Sequence, residues 1–223
     1  MGRFRRFLYI LYMAVAGAGV FLPFRSDAQT VQAPAAPSGP VTVAEKWQFF
    51  VQETFSPLTI VASAATAGES QATNTDPKYG VGSIAMAKRF GAASLDNVTQ
   101  NFFCDFVMAS VFHEDNKYRR RGEQHGFLSR VGYAVSRAVV TRTDSGASTV
   151  NWSNFTGTAL SVALSNAYYP ARSRNLNATA INWGFSTAGT GFGNLAPEFL
   201  PDFKRWLVGQ ARSLRRPRRP PPS

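Results

Sequence analysis

PLTIVASAATAGESQA, residues 57–72, is built largely of Ala, Ser, Thr and Val and shows no sustained apolar–polar alternation. The proline at its head has a φ already suited to a first helical turn, and the N–H it lacks is one that a helix start leaves unbonded. The stretch predicts a helix from residue 58 to about 72, opened by Pro57. Small side chains on such a helix let a neighbouring backbone approach closely.

The pattern extends in both directions. Upstream, Thr42-Val-Ala-Glu45 has the form of a capping box, in which hydroxyl and carboxylate satisfy early backbone donors. It predicts a helix through Trp47, Phe50 and Val51 that ends near Ser56. Downstream, TNTDPKYG (73–80) is a turn. A long helical stretch is expected over 82–113, broken near Gly91 or Asn101, with Ala87 and Gly91 as a small–small pair four apart. Residues 116–126 form a polar, basic connection. Leu128, Val131, Val135 and Val139 then recur at helical spacing, with Arg130 and Arg137 on the opposite side, and TDSG (143–146) ends that helix. Further helices are expected over 154–167, from about residue 178 through a glycine-rich second half, and from Pro197 through Phe203, Trp206 and Leu207. With no sustained strand period anywhere, the fold class is all-α: a compact bundle of small-residue-rich helices.

The chain has 223 residues, 44% hydrophobic and 17% charged, enough for one domain with a real core and inconsistent with disorder throughout. A single cysteine excludes an internal disulfide framework and any four-cysteine zinc site. The net charge of +11 is unevenly placed. Arg3, Arg5 and Arg6 precede an uncharged apolar run at 7–24, and Ser26-Asp27-Ala28 offers small residues to a signal peptidase. Residues 1–28 therefore read as a signal peptide cleaved after Ala28, with an uncleaved anchor as the alternative. The protein is expected in the periplasm or cell envelope. The rest divides into a flexible leader at 29–41, a helical domain at 42–210, and a disordered Arg/Pro tail at 211–223. No later segment is long and apolar enough to be expected to cross a membrane as a helix.

His113-Glu114-Asp115 is the one group resembling acid–base or metal chemistry. Adjacent residues on a helix point about 100° apart, so the three converge only if the helix ends there. Cys104, His113 and His125 match no zinc spacing, and Cys104, between Phe103 and Phe106, reads as a buried thiol. No nucleophile elbow occurs, and GTGFG (189–193) lacks the Lys-Ser/Thr that completes a phosphate loop. Neither a metal nor a cofactor is expected. Basic residues form two clusters: Lys117, Arg119, Arg120 and Arg121 around Tyr118, and Arg212, Arg215, Arg216, Arg218 and Arg219 in the tail. Guanidinium groups pair with phosphate, so both clusters are candidate contacts for an anionic membrane surface or another envelope polyanion. No specific nucleic-acid partner is expected for an exported chain.

Five segments, YGVGSIAMAKRFGAA (79–93), HEDNKYRRRG (113–122), SRAVVTRTDSG (136–146), NWSNFTG (151–157) and YYP (168–170), together resemble a family of exported bacterial helical proteins with no established activity. The resemblance spans roughly residues 47–199 and implies an envelope protein with a helical domain. It supplies no catalytic residue. The expected function is a non-enzymatic envelope protein held near the membrane by basic segments. The alternatives are a hydrolase-type enzyme using His113 and nearby carboxylates in a cleft between helices, and an exported binding protein.

Overall fold

The computed structural model describes residues 39–214, with side chains described as far as residue 211. The expected signal peptide, most of the leader and the tail from residue 215 lie outside the described residues. Within them the chain forms α1 (Val43–Thr54), α2 (Pro57–Thr73) and α3 (Ser83–Asn101). A π-helical segment, Phe102–Met108, and the short α4 (Ala109–Phe112) continue α3. Next come β1 (Glu114–Asp115), α5 (Phe127–Ser136), β2 (Val140–Thr143) and β3 (Ser148–Val150). The chain closes with α6 (Trp152–Ser165), a 3-10 turn (Ala171–Ser173), α7 (Leu176–Gly193) and α8 (Leu195–Leu214). The all-α expectation holds, with one small antiparallel sheet in the order β1-β2-β3.

Local chemistry accounts for most boundaries. Thr42 and Glu45 form the expected capping box on α1. Ser56 caps α2 through the Thr59 N–H, with Pro57 in the first turn, and Asn74 ends it in the left-handed conformation. Asn151 caps α6 and Asn175 caps α7, each accepting from a backbone N–H three residues on.

Four details differ from expectation. The helix expected to reach Val139 stops at Ser136, and 140–150 turn back as the β2–β3 hairpin. Val140 pairs with Val150 and Arg142 with Ser148, so TDSG is a hairpin turn and not a helix end. On α5, Leu128 is exposed while Arg130 is buried, because Glu198 and Asp202 of α8 meet the guanidinium. Ala87 and Gly91 face outward, and Ala85, Arg89, Ala92 and Ala93 form the packed face of α3. The glycines that do permit close approach are Gly157 and Gly191. A Cβ on Gly157 would lie 2.7 Å from Cys104 Cα, and one on Gly191 2.5 Å from the Val135 carbonyl oxygen. Finally, α8 keeps helical backbone to Leu214, so the first residues assigned to the tail belong to a helix.

Two apolar clusters hold the ends of the domain. Phe50 and Trp47 of α1 pack on Phe102 and Phe106, with ring centroids 5.0–6.5 Å apart. Ala134, Leu195 and Phe199 form the second, joined by Tyr118, Phe127, Val131 and Val135. Between these clusters the helix interfaces are polar. Asn97 Nδ2 donates to Ser63 Oγ across α2 and α3 at 2.8 Å, and the Thr99 and Ser161 hydroxyls meet at 2.8 Å between α3 and α6. The Thr158 and Thr187 hydroxyls do the same at 2.9 Å between α6 and α7. The face of α6 that is buried carries Ser153, Asn154, Gly157, Thr158, Ser161, Val162 and Ser165.

The opposite faces are apolar. Leu58, Ile60 and Val61 are exposed on α2, Ile84, Phe90 and Leu95 on α3, and Trp152, Leu160 and Leu164 on α6. On α7, Leu176 is 86% exposed and Phe185 76%, with Ile181, Trp183 and Phe192 beside them. Among the described residues, no helix is long and apolar enough to cross a membrane.

Candidate functional site

The π-helical turn sets the site's position. A π turn inserts one residue per hydrogen-bonded ring and displaces the local backbone, a device often found at functional sites. Here it aligns with the break expected near Asn101. Asn116 Nδ2 donates to the Cys104 carbonyl at 2.9 Å, and Gly157 lets α6 press against the same residue. The result is a polar cavity of about 50 Å³ between the π segment, the 115–119 connection, α5, the hairpin and the starts of α6 and α8. A water occupies at least about 10–15 Å³ by the same measure, so the space suits a few waters or one small ion.

The cavity floor is neutral and internally bonded. Asn116 Nδ2 also donates to Ser153 Oγ at 2.9 Å, and Asn151 Nδ2 donates to the Arg137 carbonyl at 2.8 Å. Thr190 Oγ1 donates to Asn154 Oδ1 at 2.9 Å. The rim is charged, with Lys117, Arg119, Arg137 and Arg142 as cations and Asp105 and Asp115 as carboxylates. Arg119 binds Asp115 at 2.8 Å, and the Lys117 N–H also donates to Asp115. The Arg137 guanidinium lies over the Tyr133 ring, 4.7 Å from its centroid, and its buried Nε has no acceptor among the described residues. Burial, then the nearby Glu53 carboxylate, pushes Asp105 up to about 7 against the pull of the Asn116 amide.

The three residues of the acid–base candidate are not brought together. His113 ends α4 in the left-handed conformation with its ring 84% exposed, 3.8 Å from Asp144 Oδ2. Glu114 is fully engaged at the start of α6. It accepts from the Trp152 and Ser153 N–H groups at 3.1 and 2.9 Å and from the Ser153 hydroxyl at 2.6 Å. A carboxylate there complements the helix dipole. Asp115, the next strand residue, faces the other way toward Arg119.

The first basic cluster is similarly divided. Arg120 binds Asp202 and donates from Nε to the Glu198 carbonyl at 2.9 Å. Arg121 donates its backbone N–H to Glu198 and lays its guanidinium over Tyr133 at 5.3 Å. Lys117 is left at the cavity rim with no side-chain hydrogen bond or ion pair among the described residues. Of the second cluster, the Arg212 side chain and all of Arg215, Arg216, Arg218 and Arg219 lie outside what is described.

Asp105, Arg137 and Arg142 were not among the sequence candidates. Asp105 did carry a signal, a lone carboxylate in the aromatic run FFCDFVM (102–108). Arg137 and Arg142 carried none, since their convergence depends on the chain reversing at 137–140. Among the described residues, no group of His, Cys, Asp and Glu is placed to hold a metal ion. Comparison with protein-family models, curated proteins and solved structures finds no match to this chain.

Proposed function

We propose that this protein is a non-enzymatic, exported envelope component that associates with an anionic membrane surface. The observation that carries this reading is the distribution of polarity: helix interfaces are hydrogen-bonded and small, while the outward faces of α2, α3, α6 and α7 are apolar. In water, such faces are normally covered. Small residues with hydroxyl and amide bonds at the helix contacts are how helices associate where lipid surrounds them. The second half of α8 supports the same placement. From Lys204 to residue 211 it is exposed, with Trp206, Leu207 and Val208 beside Lys204 and Arg205, and five arginines follow in sequence. Apolar and basic groups on one helix suit the interface of a bilayer with anionic headgroups.

Tryptophan fluorescence tests the reading. Vesicles of brominated phosphatidylcholine with phosphatidylglycerol should quench Trp152 and Trp183, because these rings would reach the acyl chains. Vesicles without the anionic lipid should bind more weakly, and salt should weaken binding further. Absence of quenching, together with a stable oligomer in sedimentation, would assign the apolar faces to contacts between copies and overturn the proposal.

A further inference from the structure

We propose that the cavity bordered by Lys117, Arg137 and Arg142 is a binding site for a phosphate-type tetrahedral oxyanion. The three cations come from separate elements: the connection after β1, the end of α5, and β2. None has a carboxylate within ion-pair distance among the described residues, whereas Arg119, Arg120, Arg130 and Arg205 each bind one. Arg137 carries the sharpest sign, since a buried guanidinium Nε without an acceptor is costly unless an anion completes it.

Size and shape agree. About 50 Å³ has room for one phosphate-sized group, and the rest of an ester would project past the charged rim. A planar carboxylate is met by a single guanidinium fork, while cations arriving from three directions match a group with oxygens on all sides. The two carboxylates at the rim oppose this only partly. Asp115 stands opposite Arg142 in the ladder, but it is bound by Arg119 at 2.8 Å. Asp105, pushed up to about 7, is partly protonated near neutrality and does not present a full opposing charge. The hydrogen-bonded floor of Asn116, Asn151 and Asn154 fixes the walls, so a ligand meets a site already shaped.

The site does not depend on the membrane reading, because the phosphate can belong to a soluble phosphomonoester or to a lipid headgroup. Calorimetric titration of the whole protein with inorganic phosphate at low salt is the test. Saturable one-to-one binding is expected, weakened about tenfold or more by Arg137→Gln and by Arg142→Gln and left unchanged by Lys88→Gln, an exposed position on α3. Arg142→Gln is the cleaner variant, because Arg137 also stacks on Tyr133, and matched melting temperatures check that both fold. Truncation after Gln210 should leave phosphate binding intact; its loss would place binding in the basic tail and overturn the proposal. No saturable binding, or equal binding by both arginine variants and the parent protein, overturns it as well. Titration with dihexanoyl phosphatidic acid then distinguishes the source: tighter binding than phosphate supports a lipid headgroup, equal binding a soluble phosphomonoester.

Discussion

Arg130 Nε lies 2.5 Å from Glu198 Oε1, and both side chains are buried, with Glu198 fully inaccessible. Glu198 also accepts from the Tyr118 hydroxyl and from the N–H groups of Arg121 and Gly122. Arg130 reaches Asp202 at 2.6 Å and lies 4.3 Å from the Phe199 ring centroid. Two parts of the chain, the basic connection and α5, are thus tied to one carboxylate on α8, and Asp202, one turn along the same face of that helix, binds Arg130 as well.

Glu198→Gln should destabilise the fold by about 3 kcal/mol or more, because it removes the charge that Arg130 meets at 2.5 Å and turns an amide NH2 toward buried donors. Urea denaturation monitored by circular dichroism measures the loss. Burial alone would raise the Glu198 pKa, but Arg130, the Arg121 N–H and Tyr118 outweigh it and hold the carboxyl below its usual 4.5. A depressed acid contributes stability above the unfolded value that disappears as pH falls through the folded one. Stability should therefore drop below about pH 4.5, and less steeply in the Gln variant.

Asp105 gives the opposite slope in a different window. Its folded value of about 7 stands above the usual 3.8, so the unfolded chain ionises first as pH rises. Stability should fall between about pH 4 and pH 7, by at most about 1.4 kcal/mol per pH unit, and level off above. Asp105→Asn should flatten that decline. Denaturation midpoints at pH 5 and pH 7.5 for both proteins decide it; an equal decline in the Asn variant would show that another group is responsible.

Arg89 is buried without a carboxylate and donates instead to Gln71, Ser70, Asn74 and the carbonyls of Thr75, Pro77 and Gly80. Replacing it by methionine should cost about 3 kcal/mol, since several buried acceptors lose their donor at once. The 74–80 loop should loosen first. Limited proteolysis at Lys78 measures this, with faster cleavage expected in the variant and an unchanged rate counting against it.

Gly157→Ala and Gly91→Ala should move in opposite directions. At Gly157 the new methyl would collide with Cys104 backbone atoms, a strain of about 1–3 kcal/mol. At Gly91 it would meet nothing, and alanine's helix preference should add up to about 1 kcal/mol. Thermal melts of the two variants suffice.

Truncation after Gln210 should lower binding to phosphatidylglycerol vesicles while leaving the melting temperature nearly unchanged. The residues removed carry five arginines and four prolines, with little apolar surface to bury. Equal vesicle binding by the full chain and the truncated protein would remove the tail from the proposed membrane contact. A large fall in melting temperature would show that it packs on the domain.

What was legible in the sequence was local. The Thr42–Glu45 box, Ser56-Pro57 and the 73–80 turn carry their own hydrogen-bonding instructions within a few residues, and the structure has them where they were expected. The β2–β3 hairpin was missed because Val131, Val135 and Val139 continue a helical period past the true end at Ser136. Burial of Arg130 was missed because the residues that neutralise it lie 68 and 72 positions away. The cavity inherits both difficulties: its cations meet only after the hairpin reverses the chain and the π turn displaces Asp105.

The serine, threonine and asparagine contacts between α2, α3, α6 and α7 also bear on how this domain responds to a change of solvent. Cohesion based on apolar burial weakens when the surroundings become oily, because exposure to oil costs an apolar side chain nothing. Hydrogen bonds behave in the reverse way, gaining strength as competing water is removed. A fold assembled along such contacts keeps its internal arrangement on passing from an aqueous compartment to the edge of a bilayer. On the proposed membrane reading, arrival at lipid then requires no unfolding.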